Sequence, residues 1–106
     1  MNEPLTEKQI WSLIRAVSWS LTIYYIAAYR QVSAAAIVEQ GINPKKLRRW
    51  LETARDWEKV FEKACPTVLT EMIVDIQHKV VMGYKLRKIA KATEQYVEEG
   101  LIAVMS

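Results

Sequence analysis

The sequence predicts an all-α fold: a helix-turn-helix unit followed by a helical hairpin, with an apolar N-terminal helix ahead of both. Three observations predict it. Apolar residues recur at intervals of three and four along most of the chain, the period of one helix face. Three glycines and three prolines in 106 residues leave long runs without a breaker, which disfavours a turn-rich β fold. Hydrophobic residues make up 51% and charged residues 25%, a balance that supports a packed core and excludes a disordered chain.

The first helix has a readable start. Thr6 followed by Gln9 fits a capping box, in which each side chain satisfies the other residue's backbone amide. Ile10, Leu13, Ile14 and Val17 then share one face, and the half with Leu21, Tyr24, Tyr25, Ile26, Ala28 and Tyr29 is apolar nearly all round. Ser18, Ser20 and Thr22 weaken this helix, so the sequence allows either one helix to about residue 30 or a break near 18–20. Residues 10–29 are long enough to span a bilayer. Arg15, the hydroxyl residues and the scattered aromatics argue instead for a helix buried in protein.

Ser33 is the expected N-cap of a short helix over 34–40, closed by Gly41 in a left-handed conformation. Asn43 caps the next helix and Pro44 takes its first position, where the missing N–H costs nothing. Leu47, Trp50 and Leu51 form its inward stripe, and Asp56 is a candidate cap for a further helix with Trp57, Val60, Phe61 and Ala64 inward. Pro66 ends that helix or kinks it. Leu69, Met72, Ile73, Ile76 and Val80 mark the next helix. Beyond Gly83, Leu86, Ile89, Ala90, Thr93 and Val97 mark the last, which is expected to end at Gly100. An antiparallel hairpin about Gly83 is the natural arrangement, and a continuous helix through it the alternative, at about 1 kcal/mol for the glycine. The chain divides at the Pro66 junction, with residues 1–65 holding the N-terminal helix and helix-turn-helix and 66–106 a hairpin for packing and oligomerisation.

The charge pattern points to a partner class. The net charge of +3 is mild, so position matters more than sum. Lys45, Lys46, Arg48 and Arg49 crowd the start of one short helix, where free amides and the positive dipole end also attract phosphate. Ala34, Ala35 and Ala36 would allow a close, steep helix crossing, with Ile42 plugging the turn and Leu47 and Trp50 anchoring the second helix. A helix so placed can enter a major groove, with Asn43, Lys45, Lys46, Arg48 and Arg49 as the DNA-binding residues. Lys85, Arg87, Lys88 and Lys91, together with Lys79, make a second basic group near Gly83. It is either a set of secondary phosphate contacts or a solvated hairpin tip. A plain helical bundle without the steep crossing is the alternative architecture, and a helical phage or mobile-element protein that binds another protein and no DNA is the alternative function.

The stretch "VSAAAIVEQGINPKKLRRWLETARDWEKVFEKA" resembles the helix-turn-helix of phage terminase small subunits and the related units of transposases. The shared pattern is an Ala-rich helix, Gly, an apolar residue, a polar cap and a basic helix ending in Arg-Trp. In the terminase version an acidic-aromatic segment follows, here "ETARDWEKVFEKA", and then long helices that build a ring. The resemblance implies double-stranded DNA as partner, recognition of phage DNA for packaging, a homo-oligomer and a large terminase subunit as a further partner.

Catalytic chemistry has no visible support, and no enzyme activity, cofactor or metal site is expected. Glu71, Asp75 and His78 share a helical face with the carboxylate-x-x-His spacing of half a diiron site, but His78 is the one histidine of the chain. They read as a surface polar triad. Cys65 stands alone, which excludes a disulfide framework and a zinc knuckle and suits a reducing cytoplasm. The opening "MNEPLTEK" has no basic n-region or cleavage site, so a cytoplasmic location is expected, that of the host cell if the gene is a phage's. Finally, Trp11, Leu21, Tyr24, Tyr25, Tyr29, Met72, Ile76, Val80 and Tyr96 look too many for one small core, which predicts an oligomer, a dimer by symmetry or a ring by the terminase resemblance.

Overall fold

A computed structural model describes residues 4–30, 39, 41 and 43–106, and among them the protein is all-helical: α1 (Glu7–Arg30), α2 (Pro44–Ala64), α3 (Pro66–Val81) and α4 (Leu86–Met105). The capping box opens α1 as expected. Thr6 N–H donates to Gln9 Oε1 at 2.9 Å, and Gln9 N–H donates to Thr6 Oγ1 at 3.1 Å. Of the two readings of residues 18–20, the unbroken helix is the one adopted. The hydroxyls that weaken it in sequence are turned inward: Ser18, Ser20 and Thr22 are all buried. Ser20 Oγ donates to the Ala16 carbonyl at 2.8 Å, satisfying itself within the helix. Thr22 Oγ1 donates to Thr93 Oγ1 at 3.2 Å, and Thr93 Oγ1 donates to the Ile89 carbonyl at 2.8 Å, so a short polar relay ties α1 to α4.

Gly41 has φ +93°, the left-handed conformation expected of it. The expected helix over 34–40, with its Ser33 cap, its Ala34–Ala36 crossing and the Ile42 plug, lies outside the described residues. Asn43 caps α2 as predicted, its Oδ1 accepting from Lys45 N–H at 2.9 Å and Lys46 N–H at 3.4 Å. The proposed restart at Asp56 is absent. Instead α2 runs unbroken for 21 residues, because Leu47, Ala54 and Phe61 continue one buried stripe past Asp56, which faces solvent. Cys65 and Pro66 then end α2 and begin α3.

The hairpin about Gly83 forms, and a continuous helix does not. Gly83 takes φ +82° and closes α3 with a Schellman pair: its N–H donates to the Val80 carbonyl at 3.1 Å, and Tyr84 N–H to that of Lys79 at 3.0 Å. The expected end at Gly100 is wrong. Gly100 is buried inside α4, which runs on to Met105, and an added Cβ there would lie 2.7 Å from the Phe61 ring. This glycine serves close packing and not termination, which sequence position alone does not distinguish.

One core takes residues from all four helices. Ile14, Val17, Leu21 and Tyr25 come from α1, Ala54 and Phe61 from α2, Leu69, Met72, Ile76 and Val80 from α3, and Ile89, Val97 and Leu101 from α4. Each large side chain of this set contributes about 1.5–3 kcal/mol of burial. A smaller cluster, Ile23 and Leu47 with Trp19, Trp50, Leu51 and Leu86 around them, joins α1 to the starts of α2 and α4. The expected surplus of apolar residues is corrected here. Leu21, Tyr25, Met72, Ile76 and Val80 are buried within the single chain and Tyr24 and Tyr96 half-buried, leaving Trp11 and Tyr29 exposed from that group. Four helices sharing one core gave those residues more room than a count by helix suggested. No helix among the described residues is long and apolar enough to cross a membrane.

Candidate nucleic-acid interface

The start of α2 is built from an anchor and a surrounding of charge. Leu47 is buried against Ile23, and Trp50 stacks on Trp19 of α1 with ring centroids 5.8 Å apart and planes 25° apart. This fixes the helix in rotation, and Asn43, Lys45, Lys46, Arg48 and Arg49 are all exposed as a result. At 100° per residue, Lys45 and Arg49 lie opposite Leu47, Arg48 on one flank and Lys46 on the other beside Trp50. The cations therefore wrap the solvent side of the first turns.

Folding does not ask for this arrangement. The amino end of a helix carries the positive pole of its dipole, so cations there are unfavourable by about 0.3–1 kcal/mol each. The first turn of α2 has no acidic residue to offset them. Asn43 restores part of that loss by capping two amides. What remains is an exposed helix end whose side chains and backbone present the same sign of charge.

Arg48 also borders an open groove of about 650 Å³ between the second half of α1 and the start of α2. Its floor is Tyr24, Ala27, Leu47 and Leu51, and Arg55 stands one heptad beyond Arg48 on the same wall. Arg55 was not among the residues singled out from sequence. The seven-residue interval to Arg48 was the available signal. Elsewhere between α1 and α2, the Tyr25 hydroxyl donates to Glu58 Oε2 at 2.6 Å. Burial, reinforced by that hydrogen bond and the Glu58 charge, raises the Tyr25 phenol well above its ordinary range.

The second basic group is exposed at Lys85, Arg87, Lys88 and Lys91. Lys79 is set apart from it, bound to Asp75 Oδ1 at 2.7 Å and lying 6.0 Å from the centre of the Tyr84 ring. Among the described residues, Glu71, Asp75 and His78 included, no cluster able to hold a metal ion occurs. Cys65 is buried, and burial raises its thiol above the usual value, which makes it a poor nucleophile.

Comparison with protein-family models, with curated proteins and with solved structures finds no match to this chain.

Proposed function

We propose that the protein is a non-enzymatic double-stranded DNA-binding protein that grips DNA through the first turns of α2. One observation carries this reading: four exposed cations crowd a helix start whose own dipole opposes them, on a helix locked in place by Leu47 and the Trp19–Trp50 stack. A polyanion relieves that repulsion, and its phosphates meet backbone amides and side chains of one sign. Asn43, Lys45, Lys46, Arg48 and Arg49 are the contacting residues. The terminase resemblance supplies the setting, recognition of phage DNA for packaging by an oligomer that presents several such helices to one duplex and gains avidity thereby.

The test is retention on random-sequence duplex across a salt titration. Binding should fall steeply with salt, and Arg48→Ala and Arg49→Ala should each reduce the logarithmic slope by about one for a phosphate contact. For a base contact, each should cost about 1–3 kcal/mol at its own site. A native protein that shows no salt-dependent retention at low ionic strength overturns the reading.

A second reading, binding of another protein and no DNA, draws on the α1–α2 groove. Its apolar floor, bordered by Arg48, Glu52 and Arg55, suits an amphipathic helix whose acids meet the two arginines and whose basic residue meets Glu52. Retention of a protein partner that is insensitive to loss of Lys45 and Arg49, both outside the groove, would favour it.

A further inference from the structure

The sequence places its two basic groups some forty residues apart, and the fold brings them to one end of the molecule. Leu86 packs against the Ile23–Leu47 pair, so the first turn of α4 lies beside the first turns of α2. At the other end Phe61 of α2 rests on Gly100 of α4. The interval from Leu47 to Phe61 equals that from Leu86 to Gly100, as expected of two helices running side by side in the same direction. Their amino termini therefore face the same way. Lys46 and Arg48 flank Leu47, and Lys85 and Arg87 flank Leu86, which sets the two groups of cations on adjoining helices.

The start of α4 repeats the charge of the start of α2. Lys85, Arg87, Lys88 and Lys91 occupy its start, with no acid in the first turn, while Glu94, Glu98 and Glu99 follow toward its end. Every one of these charges opposes the helix dipole or ignores it. Lys85 stands at the N-cap, where its side chain has no acceptor to offer, so the first amides of α4 lack a side-chain cap. Glu98 and Glu99 of α4 gather instead around Tyr96 and Ile102, with Glu71 of α3. The bundle is thus basic at one end and acidic beside Tyr96.

We propose that the starts of α2 and α4 form one continuous phosphate-binding face, so that the hairpin is a second clamp on the same duplex and not a solvated tip. The inference rests on the DNA-binding reading and extends it to the role of Lys85, Arg87 and Lys88. Packed helices stand about 8–10 Å apart, and duplex DNA carries a charge about every 1.7 Å of its axis. Less than one turn of duplex therefore offers phosphates to both groups. The α4 clamp holds backbone only, which makes its contribution independent of base sequence.

The experiment compares four full-length proteins on random-sequence duplex across a salt titration: the native chain, Lys45→Gln/Arg49→Gln, Lys85→Gln/Arg87→Gln/Lys88→Gln, and Lys59→Gln/Lys63→Gln. The last pair is exposed on the far half of α2 and serves as the control for charge alone. Circular dichroism confirms that each is folded, which exposed neutral replacements should permit. The α4 variant is expected to lose about two to three from the logarithmic salt slope and at least tenfold in affinity at about 0.1 M salt, with the control close to native. An α4 variant that matches native while the α2 variant weakens overturns the second clamp and leaves the first reading intact. A control that falls as far as the α4 variant shows diffuse attraction and overturns the shared face. Absence of salt-dependent binding by the native chain overturns both readings.

Discussion

The two ends of α2 are the same helix put to opposite uses. At its far end Phe61 is fully buried, its ring edge-on to Trp57 at 5.8 Å and pressed against the backbone of α4 at Gly100. Almost nothing there can change volume without cost. At its near end one buried leucine and one tryptophan stack suffice to hold the helix, and nearly all else is exposed and cationic. The difference teaches that packing at the far end allows the near end to be electrostatically unfavourable. Packing is concentrated at the far end, and the helix start is left to charge.

The widest separation between the ends should come from the far one. Phe61→Ala is expected to cost about 3–5 kcal/mol in denaturant unfolding, since it leaves a cavity in the centre of the core. Gly100→Ala should follow at about 1–3 kcal/mol, because the added methyl meets a ring with no room to move, which outweighs the roughly 1 kcal/mol that alanine brings to a helix. If Gly100→Ala were stabilising, the close approach of α2 to α4 would not be a constraint, and the contrast between the ends would fail.

Alkaline titration probes the middle of α2. The fold favours the neutral Tyr25 phenol, whose value is raised from an ordinary 10.0. Its contribution is therefore complete below about pH 10 and is lost as pH rises toward the folded value, by at most about 1.4 kcal/mol per pH unit. Tyr25→Phe should flatten that loss, leaving the part due to Tyr96, which is raised chiefly by burial. An unchanged alkaline profile in Tyr25→Phe would remove the Tyr25–Glu58 bond from the stability of the α1–α2 contact.

The near end should respond least in stability and most in binding. Asn43→Ala is expected to cost about 1 kcal/mol through the lost cap. Lys45→Glu/Lys46→Glu should do the reverse, gaining about 0.3–1 kcal/mol for each acid placed at the helix start, while abolishing retention on duplex. Urea midpoints and filter binding on the same samples read both effects. A double variant that is less stable than native would mean the cations contribute to folding after all, and the functional contrast between the two ends would lose its basis.

Much of this architecture was legible residue by residue. The Thr6–Gln9 box, the Asn43–Pro44 start, the Pro66 junction and the Gly83 hairpin were read from local chemistry, because caps and breakers act within a turn of themselves. The buried stripes of α3 and α4 followed from their period. Asp56 misled because a good capping residue is also an ordinary solvent-facing one, and the stripe through Leu47, Ala54 and Phe61 overrode it. Gly100 misled because a glycine that ends a helix and a glycine that admits a neighbouring ring look alike until the neighbour is known. Of the candidate site, the sequence named the residues of both basic groups, but nothing in their spacing joined one group to the other.

By itself, then, the chain determined where its helices start, which face of each is apolar and which turns carry charge, since each of these depends on residues within a few positions. Tertiary structure alone decided that Leu86 meets the Ile23–Leu47 pair, that Phe61 lies on Gly100 and that the hydroxyls of Thr22 and Thr93 find each other. Those contacts join residues dozens of positions apart. Their choice rests on how four apolar stripes fill one volume together, a condition that no single stripe contains.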